Sequence, residues 1–128
     1  MNKRLVLLII SELNSIKMKN CENNIEELQF ILQVLGGKWK LHILTKLYYG
    51  KRRFKELERE ITGISPKMLI KELKDLEATG IVNRQTYNTV PITVEYSLTK
   101  EGLTLKPVLD EMKSWAVKFQ QQVNKRVL

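Results

Sequence analysis

The stretch from Gly63 to Gly80 constrains the chain most, because it signals both ends of one helix and is followed at once by a change of hydrophobic period. Ser65 is an N-cap residue, Pro66 suits the first helical position, and Gly80 supplies the stop. Between them Met68, Leu69, Leu73 and Leu76 form a stripe for burial. Thr62-Gly63-Ile64 reads as a tight turn separating this helix from a shorter one marked by Phe54, Leu57 and Ile61. Beyond Gly80 the period falls to two. Ile81 to Tyr87 is answered by Ile92 to Leu98 across Asn88-Thr89-Val90-Pro91, which predicts a β-hairpin. In its second strand Ile92, Val94, Tyr96 and Leu98 face the domain, and Thr93, Glu95 and Ser97 face water.

Helices flank this core on both sides. Leu5, Ile9, Leu13 and Ile16 share a stripe that predicts a short N-terminal helix, read either as an extra core or dimer helix or as a segment preceding a start at Met18. Ile25, Leu28, Ile31, Leu32 and Leu35 mark a helix with one buried face, ended by Gly36-Gly37. Trp39, Ile43, Leu44, Leu47 and Tyr48 mark another, stopped by Gly50. Thr99 caps a last helix, kinked or started by Pro107. Its stripe of Leu105, Val108, Leu109, Met112, Ala116, Phe119 and Val123, with Trp115 beside it, exceeds what one small core needs. A dimer interface is expected there.

The order helix, helix, short helix, turn, capped helix, hairpin, long helix is that of a winged helix-turn-helix: mainly α with a small β-hairpin, and with N- and C-terminal dimerisation helices. The expected divisions are residues 1–20 as an N-terminal extension or dimer helix, 21–99 as the winged helix and 100–128 as the C-terminal dimerisation helix.

Charge narrows the function. The 22 Lys and Arg against 14 Asp and Glu give a net charge of +8, which favours a polyanionic partner, nucleic acid ahead of a membrane surface. Between Lys51 and Lys74 the basic residues Lys51, Arg52, Arg53, Lys55, Arg59, Lys67, Lys71 and Lys74 outnumber the acidic Glu56, Glu58, Glu60 and Glu72. With Leu69, Leu73 and Leu76 turned inward, Lys67, Met68, Lys71 and Lys74 occupy or border the outer face of the capped helix. Ser65 and its neighbours at the helix start can seat a phosphate on backbone N–H groups, and Lys67 or Lys71 can reach a guanine in the major groove.

Several motifs in order resemble the HxlR-type regulators of the MarR-like superfamily. They are Leu35-Gly36-Gly37-Lys38-Trp39-Lys40, Arg53-Phe54-Lys55-Glu56-Leu57, Gly63-Ile64-Ser65-Pro66-Lys67-Met68-Leu69, and Val90 through Thr99, spread over Cys21 to Trp115. The resemblance implies a bacterial or archaeal regulator, homodimeric through its terminal helices. It implies that the helix from Ser65 reads the major groove while Arg84 to Pro91, with Tyr87 among them, approach the minor groove or backbone. It also implies a sensor of oxidants or electrophiles at Cys21, the position just before the first core helix, although Glu22 stands where the family usually has proline. A disulfide there is then interchain or with a small thiol; Lys17 and Lys19 favour the thiolate, and Glu22 opposes it.

The expected partners are therefore duplex DNA, as a roughly palindromic operator, and a second copy of the chain, with an unknown effector, no membrane and no cofactor. The alternative is a winged helix that binds RNA or a protein. A thiol enzyme built on Cys21 lacks a visible base, and one His with one Cys assembles no zinc site. Gly36-Gly37-Lys38 lacks the first glycine and the Ser or Thr of a phosphate loop, so it reads as a helix stop. His42, Trp39 and Tyr48 read as structural. The apolar run Leu5 to Ile10 is short for a signal peptide and lacks a cleavage pattern, and no window approaches the roughly 18 apolar residues of a membrane span, so the cytoplasm is expected.

Overall fold

The computed structural model describes residues 3–19 and 25–127. They divide into two compact units, Met1–Gly36 and Gly37–Leu128.

The first unit holds α1 (Lys3–Lys19) and α2 (Glu26–Leu35). Glu26 and Glu27 in the first turn of α2 offset the positive end of its dipole. A Cβ at Gly36 would collide with the Leu32 carbonyl oxygen, which explains why glycine stands at the exit. The expected buried stripe of α2 is not realised in the single chain. Leu35 and the unpredicted Val34 are buried, but Ile25, Leu28 and Leu32 are exposed. Leu5 and Ile9 of α1 are exposed too, while the side chains of Leu13 and Ile16 lie outside the described residues. A helical period reports that an apolar face exists; it carries nothing about what covers that face.

The second unit contains α3 (Lys40–Tyr48), β1 (Arg52–Arg53), α4 (Phe54–Glu60), α5 (Pro66–Ala78), β2 (Val82–Tyr87), β3 (Thr93–Leu98), α6 (Lys100–Thr104) and α7 (Lys106–Val127). Its core is built from the stripes that the periods mark: Ile43 and Leu44 of α3, Leu57 of α4, Leu69, Leu73 and Leu76 of α5, and Val82 of β2 are almost wholly buried. Each such side chain contributes about 1.5–3 kcal/mol of transfer free energy.

The hairpin is joined by a strand that periodicity could not mark. Arg52 and Arg53 pair antiparallel with Tyr96 and Glu95, so β3 is the centre of a three-stranded sheet ordered β1-β3-β2. Ile92 falls outside β3 and is exposed rather than facing the domain, whereas Tyr96 is buried as expected.

Two joints lock helix to sheet. The C-terminus of α5 closes with Gly80 at φ +81, with Gly80 N–H bonded to Glu77 O at 3.0 Å and Ile81 N–H to Leu76 O at 3.0 Å, a Schellman pair. Thr99 then ties the far end of β3 to the same point, its N–H donating to Ile81 O at 2.9 Å while its hydroxyl accepts the Gly102 N–H at 3.1 Å and caps α6. The final helix is therefore two helices. Pro107 marks the true start of α7, at its second residue, rather than a kink within a continuous helix, and Leu105 lies between the two. No residue of α7 is buried.

Candidate nucleic-acid interface

The geometry of α5 starts at its cap. The Ser65 side chain accepts the Met68 N–H at 3.1 Å, and Pro66 occupies the first helical position, where a missing N–H leaves no intrahelical bond unmade. With Leu69, Leu73 and Leu76 in the core, Ser65, Pro66, Lys67, Met68, Lys71 and Lys74 are all solvent-exposed. Met68, counted with the buried stripe from its spacing, lies at its exposed edge. The turn before this helix is held by packing: Gly63 sits at φ +88, and a Cβ there would lie 3.8 Å from the Trp39 ring. The Gly-Lys-Trp and Gly-Ile-Ser motifs, distant in sequence, thus meet at one turn. Trp39 itself is half-buried, as is Tyr48, whose hydroxyl donates to Gly102 O at 2.9 Å. Burial and, secondarily, the Asp110 charge raise the Tyr48 pKa.

The sheet presents its cations on two faces. Arg84 is opposite Tyr96 in the β2–β3 register, so both side chains face the same side. There Arg84 and Lys74 line one groove with Phe54, Ile70, Glu77, Val94 and Tyr96. Tyr87 is three residues on and faces the opposite side, where its hydroxyl donates to Glu95 Oε1 at 3.2 Å. Arg84 and Tyr87, three residues apart in sequence, therefore lie on opposite faces of the sheet. Arg53 and Lys55 are brought together, with Arg59 added, in a second groove against Pro91, Ile92 and Thr93 at the hairpin tip. Lys67 lines neither groove and stands free at the start of α5. Arg53 also has a structural duty, since its backbone N–H is capped by Glu56 Oε1 at 3.0 Å.

One cluster was hidden from sequence reasoning. Glu72, counted only among the acidic residues between Lys51 and Lys74, is buried on α5, and the nearly buried ammonium of Lys40 on α3 lies 2.8 Å from its Oε2. That oxygen receives no directed hydrogen bond, so charge rather than bond geometry holds the contact. Asp75 Oδ2 lies 3.5 Å from both Lys40 and Lys71, and Lys71 also reaches Glu72 Oε1 at 3.4 Å. The Glu72 hydrogen bond, then the charges of Glu72 and Asp75, raise the Lys71 pKa. Two cations and two anions thus form one network across α3 and α5. Its only sequence signal is that Glu72 lies next to Leu73 and one helical turn from Leu69 and Leu76, on the edge of the buried stripe.

Among the described residues no group of acidic, His and Cys side chains could hold a metal ion, and no helix is long and apolar enough to cross a membrane. Cys21 lies outside the described residues.

Comparisons with known proteins converge on one class. Residues 34–124 match the model of the HxlR-like helix-turn-helix family. The chain is 47% identical to the uncharacterized HTH-type transcriptional regulator YybR of Bacillus subtilis (strain 168) over 87 residues, 68% of this chain and 70% of that protein. It superposes on the redox regulator HypR in its reduced form with a TM-score of 0.73 at 41% identity, covering 78% of this chain and 99% of HypR. On the reduced form of the transcriptional regulator YodB from B. subtilis it scores 0.68 at 39% identity, covering 73% and 92%.

The buried pair yields a stability prediction. Lys40→Met leaves the buried Glu72 carboxylate with only the more distant Lys71 as a cation and is expected to cost about 3 kcal/mol in urea unfolding. Adding Glu72→Met should recover most of that loss. A double variant as unstable as the single one would show that the two charges are not coupled.

Proposed function

We propose, for a chain that belongs to the HxlR-like helix-turn-helix family, that it binds duplex DNA as a homodimer and so controls transcription at a roughly palindromic operator. Its relatives are transcriptional regulators, so the chain is a regulator rather than an enzyme. The observation that carries the DNA reading is the N-terminus of α5. A capped helix start with exposed Lys67 and Lys71 projects from a core that fixes its rotation, and helix N–H groups there suit a phosphate. In this reading α5 enters the major groove. Lys74 and Arg84 in one groove, and Arg53 and Lys55 in the other, supply flanking backbone contacts.

A second copy is the occupant that the apolar face of α7 calls for. Val108, Met112 and Phe119 are about half exposed and Trp115 is 65% exposed, with Trp115 and Phe119 stacked at 4.9 Å. Leu105, Leu109 and Ala116 are partly covered beside them. Exposed large apolar side chains gathered along one helix face support an interface. Two-fold pairing then sets two α5 helices about one DNA turn apart.

Oxidant sensing through Cys21 is the finer part of the proposal. It is favoured by the 41% identity to a redox regulator, HypR.

Three measurements test these statements. Lys67→Ala with Lys71→Ala is expected to lower operator affinity at least about tenfold, with an unchanged circular dichroism spectrum; unaltered affinity would remove α5 from the groove. Phe119→Glu should convert the dimer to monomer in analytical ultracentrifugation, and a dimer that persists would place the interface elsewhere. Wild-type protein should lose operator binding under a mild thiol oxidant while Cys21→Ser keeps it; equal behaviour of the two would end the sensing role.

A further inference from the structure

Lys71 is an exposed cation in the middle of α5, yet its ammonium is not turned to solvent alone. It is drawn back onto its own helix by Glu72 Oε1 at 3.4 Å and Asp75 Oδ2 at 3.5 Å. Neither acid is free to follow it outward. Glu72 is buried and held by Lys40 at 2.8 Å, and Asp75 shares the same Oδ2 with Lys40 at 3.5 Å. The acceptors for Lys71 are thus anchored through Lys40 to α3, so a departing ammonium leaves two fixed carboxylates behind.

This has a chemical consequence for a groove-reading helix. Any duplex offers phosphate oxygens everywhere, and a free lysine binds them without regard to sequence. A lysine whose charge is already met by two carboxylates attracts a phosphate weakly, whereas the neutral acceptors of a base edge ask for an N–H donor rather than for net charge, and the held ammonium keeps one to give. A guanine edge presents O6 and N7 together at a fixed place in the major groove, where the bound helix holds the ammonium within reach.

We propose that Asp75 is a specificity-determining residue. With Glu72 it holds Lys71 against α5, suppressing its use as a phosphate contact and reserving it for a base edge at the operator. The inference rests on the DNA-binding reading above and adds to it the reason for acids on the groove-facing helix. Asp75 is the member to test. Its side chain is 47% exposed, and the bonds that close α5 use its carbonyl oxygen, which accepts the Thr79 N–H at 3.1 Å, rather than its carboxylate. The Lys40–Glu72 pair survives its neutralisation.

The experiment measures binding of the full chain to an operator duplex and to a scrambled duplex across a salt series, for wild type, Asp75→Asn, Lys71→Ala and the double variant. Asp75→Asn is expected to bind scrambled duplex about threefold more tightly, with a salt slope steeper by about one, the contribution of one released lysine. The ratio of operator to scrambled affinity should fall. In the Lys71→Ala background the same Asp75→Asn change should have no effect on that ratio. An Asp75→Asn gain that persists without Lys71 would be a plain charge effect and would overturn the proposal, as would an unchanged ratio. If wild type binds neither duplex, it is the DNA-binding reading that fails and the inference falls with it, an outcome distinct from the other two.

Discussion

Everything the candidate interface does depends on the rotation of α5 about its own axis. Leu69, Leu73 and Leu76 enter the core as one stripe, and the opposite face, with Lys67, Met68, Lys71 and Lys74, is left to water. A rotation of even one residue, about 100°, would bury a lysine and expose a leucine, each at a cost of kcal/mol. The Lys40–Glu72 pair adds a second reference to this rotation, because a buried carboxylate on α5 must meet its cation on α3. Burial sets the face, and the ion pair sets it again from a different element.

Position along the axis is fixed at both ends by different chemistry. Ser65 closes the start with its hydroxyl, and Gly80 closes the end with a positive φ that directs the chain into β2. Ile81 then becomes the meeting point of three elements, bonded through its N–H to Leu76 and through its carbonyl to Thr99. Gly102 must stay glycine for this joint to close, since a Cβ would collide with that same Ile81 carbonyl oxygen. The wing strands are consequently tied to the helix that they flank, so Arg84 and Lys74 share a groove as a result of the fold and not of their spacing.

The terminal helices show the opposite economy. α1, α2 and α7 spend apolar residues on faces that this chain alone leaves open to water. On α7 that exposed area is what the proposed pairing of two chains would cover. The module from Gly37 on has its own buried core in α3, α4, α5 and β2 without using α7.

The elements legible in the sequence were those set by local chemistry. The cap at Ser65, the stop at Gly80, the period change just after it and the cap at Thr99 are each decided within a few residues, so reading the chain alone located α5, the hairpin and the helix after it. The family motifs were legible for the same reason. What tertiary structure decided was non-local. β1 is two residues long and exists only because Tyr96 and Glu95 accept it as an edge. Which β3 residues lie beside Arg84 and Tyr87, Tyr96 for the one and Thr93 for the other, was set by the register between the strands. Glu72 became a buried partner because Lys40, far away in sequence, lies against α5. By itself the sequence determined which side chains are apolar, charged or conformationally permissive, since those are properties of single residues and short periods. Which charges meet, and which apolar faces stay open, depended on three-dimensional proximity, a property of the packed chain that no local window contains.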